Sequence, residues 1–131
     1  MPDYVPTKSG TLLIPSGTYH DPNKRHLFVI CSDANAEDAL FLVPISTWRN
    51  NLCDGTCILS AGCHEFISAK SFVLYRKSRV EVRTTIIQGV RNGLFVPKAQ
   101  LGKTELAAVL EGIQKSPQTP RKLKHYFAKK C

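Results

Sequence analysis

The sequence lacks the features of several protein classes. It has no apolar run approaching the roughly 18 to 20 residues of a membrane-spanning helix. Its opening residues contain no basic stretch followed by an apolar segment, so we recognise no secretory signal and expect a cytoplasmic protein that does not enter a membrane. The cysteines number five, and an odd count without such a signal argues against a disulfide framework.

The 131 residues are therefore expected to fold around a hydrophobic core. The composition, 43% hydrophobic and 21% charged, is typical of a globular protein and excludes a disordered or collagen-like chain. A chain of this length buries roughly two thirds of its unfolded surface, which is enough for a fold without disulfides. We predict a single domain over residues 1–131.

Acidic residues are scarce in the second half of the chain. Residues 66–131 hold fourteen Lys and Arg but only three acids, a net charge of +11, whereas residues 1–65 have a net charge of −3. A positive field of this size favours a polyanionic partner such as RNA, DNA or an anionic surface, because each base near a phosphate releases counterions. The alternative is a basic face that serves only solubility.

Short apolar runs separated by turn residues fill the first three quarters of the chain. Each run is too short for a helix, and their spacing over residues 10–97 predicts the strands of a compact barrel or curled sheet. The fold class that we predict is mainly β with a C-terminal helix. The runs lie at residues 11–14, 27–31, 40–45, 57–59 and 72–75.

Residues 79–83 alternate between charged and apolar side chains. The alternation predicts a strand with Val80 and Val82 on one face. The other face, which carries Arg79, Glu81 and Arg83, is expected to be wet. It could contact phosphates or only solvent, and periodicity does not separate the two.

The C-terminal part contains the clearest helical pattern. A helix over residues 103–116 is predicted to pack on the sheet through one apolar stripe. A basic tail follows over residues 119–131, in which Thr119 and Pro120 predict an N-cap and the first position of a short helix. The stripe consists of Leu106, Val109, Leu110 and Ile113, and the apolar face of the tail of Leu123, Tyr126 and Phe127.

Several residues have the chemistry for phosphate transfer without a metal. Imidazole titrates near neutrality, so His20 and His26, in one polar loop, are candidate general acids or bases. Arginine and lysine can supply the positive charge that a pentacovalent phosphorane needs during RNA cleavage by its own 2′-hydroxyl. The candidates for that charge are Arg25, Arg76, Lys77 and Arg79.

Four possible zinc ligands lie within twelve residues. Cys53, Cys57, Cys63 and His64 offer thiolate and imidazole, which tetrahedral zinc prefers. The adjacent pair is hard to aim at one ion, because consecutive strand side chains point in opposite directions. We therefore predict no metal or other cofactor and interpret the cysteines as core or loop residues. A small zinc-containing nucleic-acid adaptor is the alternative.

Four short segments occur in an order that one protein family shares. Gly10 and the apolar run 11–14 open the first strand, and Arg25 opens the second. Val43-Pro44-Ile45-Ser46-Thr47 ends the third, and residues 77–80 match weakly a segment with Gln, a spacer and Arg. With these segments, residues 10–113 resemble the PemK/MazF family of toxin endoribonucleases from toxin–antitoxin operons.

The resemblance implies a small SH3-like β-barrel followed by a C-terminal helix, and a metal-independent hydrolase of the mRNA interferase type that cleaves single-stranded RNA. It implies that Arg25 binds the scissile phosphate and that Ser46 or Thr47 hydrogen-bonds a phosphate oxygen. Arg79 would stabilise the charge of the transition state. A homodimer and an antitoxin protein that covers the RNA groove are the implied partners. Further RNA-binding candidates are Lys24, Arg76, Lys77 and Arg83.

One departure from the family pattern affects the expected mechanism. Arg76 stands where many members carry an acid, so His26 or His20 would have to transfer the proton instead. The barrel is also similar to that of the CcdB toxins, which poison DNA gyrase and have no nuclease site. The alternative function is therefore a noncatalytic SH3-like module that binds nucleic acid, or a protein such as gyrase or an antitoxin.

Overall fold

A computed structural model describes residues 3–16 and 24–131, so the candidate His20 lies outside the described residues. This part of the chain contains seven strands, three α-helices and one 3₁₀ turn at Tyr75–Lys77. The strands are β1 (Thr11–Pro15), β2 (Arg25–Ile30), β3 (Ala39–Thr47), β4 (Ile58–Leu59), β5 (Ser71–Val73), β6 (Arg79–Val82) and β7 (Val96–Lys98). The helices are α1 (Arg83–Arg91), α2 (Lys103–Lys115) and α3 (Arg121–Lys130).

The strands form one antiparallel sheet in the order β4-β5-β3-β2-β1-β7. The long strand β3 pairs with β2 along one edge, and β5 and β6 share its other edge. Within the described ranges, the outer strands β4 and β7 do not pair with each other, so the sheet is open. The prediction of a mainly β fold with a C-terminal helix is confirmed at this level.

Both faces of the central strands are covered by helices, which explains why the strands have unbroken apolar runs. One face packs against α2 and α3, with the rings of Phe41 and Phe127 edge to face at 5.0 Å. The opposite face packs against α1 and the following turn, through Ile86 and Phe95. None of the helices described is long and apolar enough to cross a membrane.

Helix α1 is absent from the sequence prediction, which extended a strand through residue 83. Thr84, Thr85 and Ile87 are β-branched and favour strands, but tertiary packing overrides that preference. Ile86 is fully buried in the core, and a side chain at Gly89 would overlap the ring of Phe95. The chain therefore leaves the sheet after residue 82 and continues as a helix that packs against one face of the sheet.

The prediction for residues 79–83 needs three corrections. Val82 is 46% exposed because it lies where the strand meets α1, whereas Val80 packs against the core. Glu81, expected on the wet face, is mostly buried and forms an ion pair with Arg79. Arg83 begins α1 instead of continuing the strand.

The two C-terminal helices lie near their predicted positions. In α2, Val109 and Ile113 are fully buried and the other two residues of the stripe are partly buried. The apolar side chains of α3 pack against the same core. Thr119 does not cap α3, because the helix begins at Arg121 and Pro120 occupies the N-cap. Its buried hydroxyl has no hydrogen-bond partner among the described residues.

Candidate functional site

The start of β2 and the end of β3 lie side by side, because the two strands are antiparallel and Leu27 pairs with Ile45. Alternation along the strands then places His26 and Ser46 on the sheet face that carries Phe28. Beyond this point the helices no longer cover the sheet, and two adjoining cavities open around the strand ends. Together they are called the cationic cleft below.

The larger cavity has a volume of about 500 Å³. It extends from His26 and Ser46 across to the 3₁₀ turn, so residues 30 to 50 positions apart in the sequence face the same space. Its polar lining consists of Ser16, Lys24, His26, Ser46, Arg49, Arg76, Lys77 and Arg79.

The smaller cavity, about 150 Å³, shares four residues with the larger one: Lys24, His26, Ser46 and Arg49. It adds Arg25 and Thr47, which alternation directs to the other side of the strands, and the aromatic ring of Phe66. The two cavities are therefore continuous around the strand ends.

Six cations line the cationic cleft, and none of its described lining residues is Asp or Glu. Clustered positive charge in a concave surface raises the local concentration of anions, because little acidic charge compensates it. The cleft is therefore suited to bind phosphate groups. The six are Lys24, Arg25, Arg49, Arg76, Lys77 and Arg79.

Arg79 is the most constrained of these cations. Its Nε donates to Oε1 of Glu81 at 2.7 Å, its Nη2 contacts the same oxygen, and the guanidinium lies 5.5 Å from the centre of the Phe28 ring. The pair with Glu81 leaves the Nη1 donors for another acceptor. Arg79 thus presents a fixed, charged donor to the larger cavity.

His26 is the residue of the cleft best suited to accept a proton. Its Nδ1 lies 2.6 Å from the Ser16 hydroxyl, which orients the imidazole ring. Burial lowers the pKa of His26 below its ordinary value, and the charge of Lys24 lowers it further. In the tautomer in which Nδ1–H donates to Ser16, the Nε2 lone pair is available to a ligand in the cleft.

Of the nine residues predicted for catalysis or RNA binding that the structure describes, the cleft brings together eight. The exception is Arg83, whose Nε donates to Asp38 Oδ1 at 2.8 Å at the start of α1, and which lines neither cavity. The residues that line it as predicted are Lys24, Arg25, His26, Ser46, Thr47, Arg76, Lys77 and Arg79.

Among the lining residues that the sequence interpretation missed are Ser16, Arg49 and Phe66. Ser16 directly follows β1, and Arg49 comes two residues after the end of β3. Both could have been found by asking which polar residues follow strands that end at the same edge of a sheet. Phe66 lies in a loop whose position no local pattern indicates.

The four candidate zinc ligands do not form a metal site. Nowhere in residues 3–16 and 24–131 do three His, Cys, Asp or Glu side chains meet in a way that could hold a metal ion. Both ring nitrogens of His64 are occupied: Nδ1 accepts the Phe66 N–H at 3.0 Å, and Nε2 lies 2.6 Å from the Ala99 carbonyl oxygen. Burial raises the pKa of Cys57 and of Cys63, which favours their protonated thiols.

No protein-family model matches the chain, and no curated protein sequence is significantly similar to it. The cationic cleft is therefore the strongest indication of what the chain does.

Proposed function

We propose that the chain is a metal-independent endoribonuclease that cleaves single-stranded RNA in the cationic cleft. One observation carries the proposal: six cations line the same cleft as a histidine with a lowered pKa, and no acid lines the cleft in the described part of the chain. A polyanion is the ligand that this charge favours. A neutral imidazole beside bound phosphate is the group that can activate a ribose hydroxyl.

The proposed reaction uses the RNA's own 2′-hydroxyl as the nucleophile. His26 Nε2 takes the proton of that hydroxyl as its oxygen attacks phosphorus, and the bond to the 5′-oxygen breaks to leave a 2′,3′-cyclic phosphate. The departing 5′-oxygen takes a proton from water or from the imidazolium. Arg25 and Arg79 stabilise the charge of the phosphorane, and the Ser46 hydroxyl donates to a phosphate oxygen.

The wider part of the proposal follows the PemK/MazF resemblance. In this view the open sheet is a variant of the SH3-like barrel, and the chain acts in the cytoplasm as a homodimer that an antitoxin protein inhibits. The position of the Val43-Pro44-Ile45-Ser46-Thr47 segment supports this view, because the segment ends at the cleft. An antitoxin with an acidic segment would be complementary to the cleft's charge.

A noncatalytic binding module is the second candidate function. His26 is the one described lining residue whose side chain ordinarily titrates near neutrality, and Arg76 occupies the position where many toxins carry an acid. A cleft with a single acid–base group binds phosphates readily but transfers two protons less easily. This module would bind RNA, or an acidic surface of a gyrase-like or antitoxin-like protein, without cutting.

The two candidates separate in a cleavage assay. The wild-type chain is incubated with a long single-stranded RNA in excess EDTA, beside Arg25→Ala and Arg79→Ala. We expect the wild type to cut and each variant to be slower by about 100-fold or more, because each loses a cation that stabilises the transition state.

Arg83→Ala is the matched control, since it removes an arginine that is paired outside the cleft. It should cut at the wild-type rate. Salt-dependent binding of RNA without cleavage would favour the binding module. Cleavage that requires a divalent cation, or that persists in Arg25→Ala and Arg79→Ala, would contradict the proposed mechanism.

A further inference from the structure

Phe66 is a large apolar side chain at an unusual place. It is 48% exposed, and it lines the smaller cavity together with Arg25 and Arg49. The exposed part of this ring does not pack in the core and is accessible to a ligand. A ligand with both a flat apolar face and a negative charge would therefore be complementary to this position.

The backbone around Phe66 is held in place although the ring is exposed. The buried His64 imidazole accepts the Phe66 N–H at 3.0 Å and contacts the Ala99 carbonyl oxygen at 2.6 Å, which ties this loop to the segment after β7. Beside it, the N–H of the buried Ile67 donates to the His64 carbonyl oxygen at 2.9 Å. The ring thus stands on a fixed base, and a ligand that stacks on it pays little ordering entropy.

Another cation lies next to the ring. Lys98 Nζ lies over the Phe66 ring, 5.7 Å from its centre, so positive charge adjoins the ring in addition to that of the cleft. Trp48 offers a contrast. Its ring packs edge-on against Phe72 at 5.9 Å, Lys70 Nζ lies over it at 4.6 Å, and it lines neither cavity. Phe28 also lines the cleft, but it is 2% exposed and the Arg79 guanidinium lies over its ring. Phe66 is therefore the exposed aromatic ring of the described lining.

We propose that Phe66 is a stacking platform for one unpaired nucleobase of a strand whose phosphates occupy the cationic cleft. The inference rests on the proposed function, because both place a nucleic acid in the cleft. Stacking on an aromatic ring needs a base with a free face, which a single strand offers and a duplex interior does not. Phe66 thereby selects single strands, while the cations hold the backbone without regard to sequence.

The test compares two single-stranded DNA oligomers of equal length and charge in EDTA. One carries ordinary bases, and the other consists of abasic units. DNA is used because it lacks the 2′-hydroxyl nucleophile, so binding is measured without cleavage. We expect the wild type to bind the base-bearing oligomer about 5- to 100-fold more tightly. Phe66→Leu should lose this preference, and Phe66→Trp should keep it because it retains an aromatic face.

Leu94→Ala is the control for loss of an exposed apolar side chain. Leu94 is 53% exposed and lines neither cavity, so this variant should keep the wild-type preference. Equal affinity of the wild type for both oligomers, binding of neither oligomer, or an undiminished preference in Phe66→Leu would each overturn the inference. A circular dichroism spectrum and a thermal unfolding curve for each variant confirm that binding is compared between folded proteins.

The outcome is distinguishable from a failure of the proposed function. Base-dependent DNA binding without RNA cleavage would preserve the platform and contradict the nuclease. RNA cleavage together with equal affinity for the two oligomers would contradict the platform and leave the nuclease standing.

Discussion

His26 is the side chain on which the proposed chemistry depends most. Its neighbours hold it in a form that can accept a proton: Ser16 orients the ring, and burial together with Lys24 lowers its pKa. A histidine on an open surface is about half protonated near pH 6.5, and the protonated fraction cannot accept a proton. Lys24 therefore has two roles in the proposal, because it attracts phosphate and adds to the effect of burial in favouring the neutral imidazole.

The pH dependence of cleavage follows from the direction of this shift. A lowered pKa means that His26 loses its proton at a lower pH, so the base form already predominates at pH 6.5. We expect the acidic limb of kcat/KM, which reports the free enzyme, to have its midpoint below about 6.5. Lys24→Gln removes one of the two causes of the shift and should move the midpoint to higher pH.

Lys122→Gln is the control for loss of a lysine, because Lys122 is exposed on α3 and lines neither cavity. Its profile should match that of the wild type. A wild-type midpoint above 6.5, or a midpoint that falls in Lys24→Gln, would show that His26 is not the base or that its pKa is not lowered as described.

At the level of elements, α2 shows packing and helix propensity in opposition. Glycine inside a helix costs about 1 kcal/mol relative to alanine. Gly112 is nevertheless required, because a Cβ there would overlap the buried Tyr75 hydroxyl. That hydroxyl donates to the Val109 carbonyl oxygen at 2.7 Å and so attaches the helix to the 3₁₀ turn beside the cleft.

Gly112→Ala is therefore expected to lower the free energy of unfolding by about 1–3 kcal/mol, despite the gain in helix propensity, because the added methyl overpacks this contact. Urea unfolding followed by circular dichroism measures the change. Ala108→Gly, at an exposed position of the same helix, reports propensity alone and should cost about 0.5–1 kcal/mol. A Gly112→Ala protein more stable than the wild type would contradict the described approach of Tyr75 to α2.

The elements differ in how well the sequence predicts them, and the reason is physical. The apolar runs within β1, β2 and β3 are uninterrupted because both faces of these strands are buried there, and α2 has a stripe because one face is buried. Each of these patterns lies within one segment and can therefore be recognised in the sequence. Helix α1 has the β-branched residues of a strand, and its conformation is decided by tertiary packing, with Ile86 in the core and Gly89 against the Phe95 ring.

The residues of the candidate site also differ in how well the sequence predicts them. Residues at strand ends, such as Arg25 and Ser46, are predictable because antiparallel pairing of neighbouring strands places them together. Phe66 is not, since its position depends on hydrogen bonds from His64 to a segment 35 residues away. By residue type His64 is a candidate zinc ligand, but in the structure its hydrogen bonds hold a loop in place.

For the whole molecule, the charge asymmetry along the chain does not determine which bases line the cleft. The acidic first half supplies half of the cations of the cleft, namely Lys24, Arg25 and Arg49. Of the fourteen bases in the second half, three line the cleft. Four others form ion pairs elsewhere: Arg83, Arg91, Lys115 and Lys130.

The positions of the bases in the structure locate the expected contact with a polyanion, which the composition alone does not. A net charge of +8 indicates a polyanionic partner, but it does not locate the contact. Folding concentrates six cations around two strand ends and neutralises several others with acids. The proposed activity therefore depends on the cleft and not on the total charge.

The central claim is that the cationic cleft cleaves RNA through the RNA's own 2′-hydroxyl. The most direct measurement is an end-group analysis of the products that the wild-type chain forms in EDTA from an RNA and from a DNA of the same sequence. We expect 2′,3′-cyclic phosphate and 5′-hydroxyl ends from the RNA and no cleavage of the DNA. Products with 3′-hydroxyl and 5′-phosphate ends, or cleavage of the DNA, would contradict it.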